Sequence, residues 1–213
     1  NVGTLNIVLE GSNYIGDSSS LKYMPAASDL DTPRYLGIWG NTVRFSGSGS
    51  LTIEAQTFPI QSGGIETCES VDLTLRSYMN GTVTRSMAVG AGTCVTAEAQ
   101  GNNLDFYALN VKNDLTVNGT LNATTKGCVY QNDYPVALLV DGTLRVVGGQ
   151  VTATSDGRNG NDGCQGYGIK ANVLEIGGGG TVRAYSNGYS TETNRYDGKE
   201  AIYVSSNLTV DLG

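Results

Sequence analysis

The chain has 213 residues, 39% of them hydrophobic, 15% charged and 30 of them glycine, about twice the usual glycine share; it can bury a sizeable core and turns often. Thirteen Lys and Arg against 20 Asp and Glu give a net charge of -7, which sets a phosphate backbone in net repulsion and excludes nucleic acid as the expected partner. Histidine is absent, so neither a Ser-His-Asp triad nor a His-bound zinc can be built, and no apolar run reaches the roughly 18 residues of a membrane span.

No long helix is predicted, because Gly, Asn, Thr and β-branched residues interrupt every window that places apolar residues at helical spacing. Short strands are predicted instead. Leu5-Asn6-Ile7-Val8-Leu9, Val71-Asp72-Leu73-Thr74-Leu75 and Leu208-Thr209-Val210 alternate, with Gly, Asn, Asp and Ser as punctuation between such runs. Over residues 1–90 the elements look irregular: Gly37-Ile38-Trp39-Gly40 and Leu51-Thr52-Ile53 resemble later ones with altered spacing. Such first turns suit an end that presents a cap to solvent.

Residues 91–213 repeat more regularly. Leu115-Thr116-Val117, Leu144-Arg145-Val146, Leu174-Glu175-Ile176 and Leu208-Thr209-Val210 recur at intervals of 29, 30 and 34 residues, and Met87-Ala88-Val89 stands 28 before Leu115. Leu109, Leu138, Ile169 and Ile202 precede those leucines by six, six, five and six residues. A third segment follows each of the first three, as in Gly149-Gln150-Val151-Thr152-Ala153. Three short strands per turn and a period near 30 predict one all-β domain over residues 1–213, a parallel β-solenoid whose stacked turns share an apolar column. Recurrent Ala in that column suits a narrow interior. Leu208 to Gly213 begins a turn and stops, as in a fragment of a larger protein whose other domains share the chain.

Residues 5–15, 36–55, 137–153 and 201–210 resemble a carbohydrate-binding-domain family of bacterial secreted or surface proteins, whose repeats are rich in valine, threonine and glycine. The resemblance implies a right-handed parallel β-helix similar to polysaccharide lyases and a secreted or cell-surface location. For some relatives it implies binding of acidic plant polysaccharide with calcium.

Repeat length varies mainly within residues 124–135, 154–167 and 185–200, loops that a rigid stack sets along one flank. Tyr130, Tyr134, Tyr189, Arg195 and Tyr196 are the candidate carbohydrate-binding residues there, since a sugar presents an apolar face to an aromatic ring and a rim of hydroxyls to polar groups. The plainer reading is that these tyrosines cover the solenoid wall. Asp156, Asn159 and Asp162 lie in a Gly/Asn/Asp run with the oxygen density of a calcium loop, although Arg158 opposes a cation and no EF-hand spacing is present. Cys68, Cys94, Cys128 and Cys164 permit two disulfides in an oxidising compartment, with Cys128 to Cys164 and Cys68 to Cys94 as the expected pairing and small buried thiols as the alternative.

Arg145, Arg158, Lys170, Arg183 and Arg195 have the residue type of a lyase base, but no paired carboxylates recur at one repeat position, so no catalytic residue is assigned. The leading expectation is non-catalytic binding of a polysaccharide, acidic by the resemblance, with calcium admitted as a cofactor. A structural stalk or adhesin segment is the first alternative and a polysaccharide lyase or glycoside hydrolase the second.

Overall fold

Alternation sends every second side chain of a strand to one face, and a single turn of this chain cannot bury that face alone. The computed structural model describes residues 3–16, 36–78, 80–100, 107–126, 135–156, 166–187 and 200–211, and in it each turn pairs with the turns on either side. Along the chain the strands are β1 (Thr4–Leu9), β2 (Ser12–Ile15), β3 (Leu36–Gly47), β4 (Ser50–Ala55), β5 (Phe58–Thr67), β6 (Asp72–Ser77), β7 (Thr82–Val89) and β8 (Cys94–Ala99). They continue as β9 (Tyr107–Val111), β10 (Leu115–Val117), β11 (Thr120–Lys126), β12 (Val136–Val147), β13 (Gln150–Asp156), β14 (Tyr167–Gly177), β15 (Thr181–Ser186) and β16 (Ile202–Val210).

The chain alternates between two sheets. The nine-stranded sheet runs β1-β3-β5-β7-β10-β12-β14-β16, with β9 beside β7 and β12, and the seven-stranded sheet runs β2-β4-β6-β8-β11-β13-β15. Parallel pairing joins equivalent strands of successive turns, as in β3 with β5 and β4 with β6. The described residues are therefore all-β and solenoid-like, and no helix among them is long and apolar enough to cross a membrane.

Two features of the fold are not evident in the sequence. The first two predicted strands of a repeat merge into one long strand in β3, β12, β14 and β16, and only β9 and β10 stay separate. The reason lies at the corner: β12 and β14 pair to Val140 with Ala171 and resume at Thr143 with Val173, so Asp141 and Gly142 oppose Asn172 alone in a bulge that bends the strand without breaking it. The same shift recurs between β14 and β16, which accounts for the one repeat whose offset is a residue short. Second, the strands within residues 36–99 keep a regular register of their own. Val43 pairs with Ile65 and Ile65 with Met87, and Leu51 pairs with Leu73 and Leu73 with Val95, a repeat of 22 residues that also spaces Arg44 from Glu66 and Arg76 from Glu54 and Glu98.

The interior is built from rows of equivalent residues. Met87, Leu115, Leu144 and Leu174 form one row and Ala97, Ala123, Ala153 and Ala184 another, and both belong to a single core that takes side chains from the two sheets. Each fully buried Leu contributes about 1.5–3 kcal/mol relative to an exposed one, while the small Ala row lets the sheets converge. The connections from the first sheet to the second are short and, except for residues 68–71, contain glycine. Gly47 has φ 100°, and a Cβ there would collide with the Leu9 carbonyl of the turn before, so the corner needs glycine for conformation and for space. The reverse connections carry the variation in length: Gln56 and Thr57 alone join β4 to β5, whereas residues 157–166 separate β13 from β14.

One row on the outside of the first sheet positions the site described next. Trp39 pairs with Gln61, Gln61 with Val83 and Val83 with Asn110; Asn110 then pairs with Leu139, Leu139 with Lys170 and Lys170 with Tyr203.

Candidate functional site

Successive turns put Leu139, Lys170 and Tyr203 side by side, each flanked by inward residues that anchor its strand: Leu138 and Val140, Ile169 and Ala171, Ile202 and Val204. Around them lies a cleft of about 410 Å³, lined also by Asp141, Tyr167, Asn172 and Ser205. That volume falls within the usual range for small-ligand sites. The Tyr167 and Tyr203 rings meet edge to face, with centroids 5.8 Å apart and planes at 60°. Lys170 Nζ lies 5.7 Å from the Tyr167 centroid and 6.0 Å from that of Tyr203, within the reach of cation–π attraction to both.

The polar rim comes from the bulged corner. Asp141 pairs with Lys112 of the preceding turn at 3.2 Å, and Ser205 Oγ donates to Asn172 Oδ1 at 3.0 Å. Because the bulge sets Asp141 and Asn172 beside the strand rather than in its ladder, their side chains border the cleft. Among the described residues Lys170 has no carboxylate partner, whereas Arg44, Lys112 and Arg145 each hold one and Arg76 holds two. Among the described residues the cleft therefore offers two phenol rings, one cation outside any ion pair, and an amide, a hydroxyl and a carboxylate at its edge.

Few of the residues singled out in the sequence are among the described ones. Tyr130, Tyr134, Tyr189, Arg195 and Tyr196 lie outside the described residues, as do Asn159, Asp162, Cys128 and Cys164. Asp156 closes β13, in register with Lys126, and no group of three or more His, Cys, Asp or Glu among the described residues is arranged to hold a metal ion. Tyr185, expected in a loop, is a strand residue of β15 and 48% exposed. Arg145, a base by residue type, is held at 2.7 Å by Glu175, whose hydrogen bond and charge raise the Arg145 pKa.

The expected bridge between Cys68 and Cys94 is not formed; both are free, half-buried thiols. The coil separates their roles. Cys68 follows β5 and donates through Sγ to the Phe45 carbonyl, while Cys94 opens β8 in the other sheet, opposite Asp72 and Thr120. Burial pushes the Cys94 thiol above its usual range, a hydrogen bond with Thr96 lowers it in part, and the Asp72 charge raises it further.

The cleft has a signal in the sequence. Aligning Ala137-Leu138-Leu139-Val140, Gly168-Ile169-Lys170-Ala171 and Ala201-Ile202-Tyr203-Val204 puts Leu139, Lys170 and Tyr203 at one outward position between two inward ones. Comparison with protein-family models, curated proteins and solved structures finds no match to this chain.

Proposed function

We propose that this chain is a non-catalytic polysaccharide-binding solenoid of a secreted or cell-surface protein, and that the Tyr167–Lys170–Tyr203 cleft takes part in binding. The observation that carries the reading is two tyrosine rings and an ammonium with no carboxylate partner among the described residues, gathered on one outward surface beside Asn172, Ser205 and Asp141. A pyranose needs that combination: a ring for its C–H face and fixed donors and acceptors for its hydroxyls. Lys170 favours a glycan bearing carboxylates, in keeping with the family resemblance. Among the described lining residues Asp141 is the one carboxylate, and it already faces Lys112, so this lining supports holding a sugar better than cleaving it by a carboxylate pair. We take the coil as right-handed, following the strong preference of parallel crossovers, with three strand segments per turn, two of them sharing the first sheet.

Tyr130, Tyr134, Tyr189, Arg195 and Tyr196 belong to the same reading as residues of the connections that enter β12 and β16. Calcium enters it through Asp156, Asn159 and Asp162. The test is a glycan array probed with and without Ca2+, followed by product analysis on any polymer retained. Retention without cleavage is the expected result. No retention on any glycan leaves the stalk, a role that the unbroken core rows also suit, and shortened products establish an enzyme.

A further inference from the structure

Trp39 is the single tryptophan of the chain, and 77% of it is exposed. Large aromatic side chains make most of their contribution when covered, so one left this open on a rigid strand needs a reason. Its strand is anchored by the buried Ile38 beside it and by the pairing of Trp39 with Gln61 of β5, while β1 joins β3 only from Thr42 onward. The sheet register places Trp39 in the same outward row as Lys170 and Tyr203. Between them the row holds no charged residue.

The geometry points to Trp39 as the second aromatic platform of a two-point site for a linear polysaccharide that lies along the coil axis, with the Tyr167–Tyr203 cleft as the first. This rests on the polysaccharide reading above and fixes the direction and the minimum length of the ligand. Parallel strands stack about 4.8 Å apart, so the steps from Trp39 to Tyr203 span roughly 30 Å. Midway, Asn110 is 2% exposed, which makes the row two open stretches separated by a covered one. A polymer long enough to reach both gains from the second contact as an intramolecular event, and a short oligosaccharide occupies one platform alone.

The experiment uses the whole chain with polygalacturonate, xylan and hydroxyethylcellulose in affinity gels, and with the matching tetrasaccharides, too short for the span, in solution. Expected for a polymer that retards the protein is a shift in tryptophan emission, which reports Trp39 alone, and a loss of affinity of about tenfold or more in Trp39→Ala. The same substitution leaves the affinity of the tetrasaccharide that fills the cleft unchanged, whereas Tyr203→Ala weakens both ligands. Retardation with unaltered tryptophan emission, or equal retardation of Trp39→Ala, overturns the second platform and leaves the cleft standing. If none of the three polymers retards the wild-type chain, the platform and the polysaccharide reading fall together. Because the emission is read on the unsubstituted protein, a variant that fails to fold does not remove the test.

Discussion

Lys170 and Tyr203 are register partners in adjacent turns, and the lysine ammonium stands 6.0 Å from the tyrosine ring centroid. At this spacing a cation polarises the ring while both remain open to a ligand, since Tyr203 is 38% exposed. Tyr203→Ala is expected to weaken glycan binding by about 1 kcal/mol, roughly fivefold, with a change in folding stability within about 0.5 kcal/mol. Lys170→Met keeps the aliphatic stem and removes the charge, so it should weaken a uronate polymer and spare a neutral one. Isothermal titration of each variant with polygalacturonate and hydroxyethylcellulose, beside a urea melt, checks both statements. Equal loss for the two polymers in Lys170→Met would remove the electrostatic role.

Thr82 occupies a core row between Ile60 and Leu109, fully buried, and its Oγ1 has no hydrogen-bond partner among the described residues. An unpaired hydroxyl held away from water costs about 1–3 kcal/mol, and valine has the same shape without the oxygen. Thr82→Val should therefore stabilise the chain by about 1 kcal/mol, seen as a higher urea midpoint at unchanged slope. A lower midpoint would mean that the hydroxyl has a partner in solution.

In the second half of the chain the repeat is legible because Leu115, Leu144, Leu174 and Leu208 are one residue type in one row, so identity and geometry coincide. In the first half the equivalent row changes chemistry at every step, from Val43 to Ile65 to Met87, and the 22-residue period is hidden although the register is as strict. Variation in loop length draws attention to tyrosine-rich segments. Strand positions taken one at a time speak only of burial, and Lys170 and Tyr203 pass as wall residues: an outward position becomes a site only when neighbouring turns are laid beside it. The merging of two strands into one is not legible either, because Asp141-Gly142 reads as a turn in isolation and becomes a bulge only opposite Asn172.

Cys94 yields a pH dependence with a definite sign. Burial is the main cause of its raised pKa, so the folded chain holds the thiol proton more tightly than the unfolded chain. Where the unfolded thiol ionises, from about pH 8.5 upward, folding stability should fall with rising pH until the folded thiol also ionises. Cys94→Ala should flatten that part of the profile, and iodoacetamide should label Cys94 in the native chain more slowly than a peptide thiol at about pH 8. A profile that keeps its slope in Cys94→Ala would assign the alkaline loss to other groups.

The cost of truncating a leucine should depend on how much of its row surrounds it. Leu144 is fully buried between Leu115 and Leu174, whereas Leu208 belongs to the same row one turn beyond Leu174 and is 60% exposed. Leu144→Ala removes a side chain whose neighbours on both sides are pinned by their own ladders, so the space closes poorly and the loss should be about 3–4 kcal/mol. Leu208→Ala removes contacts on one side only and gives up a fraction of the burial, which limits the loss to about 1 kcal/mol. Urea denaturation of the two variants separates these values easily. Equal costs would contradict stacking of the turns as the source of stability, because in a solenoid the same residue type gains its worth from neighbouring turns rather than from its own strand.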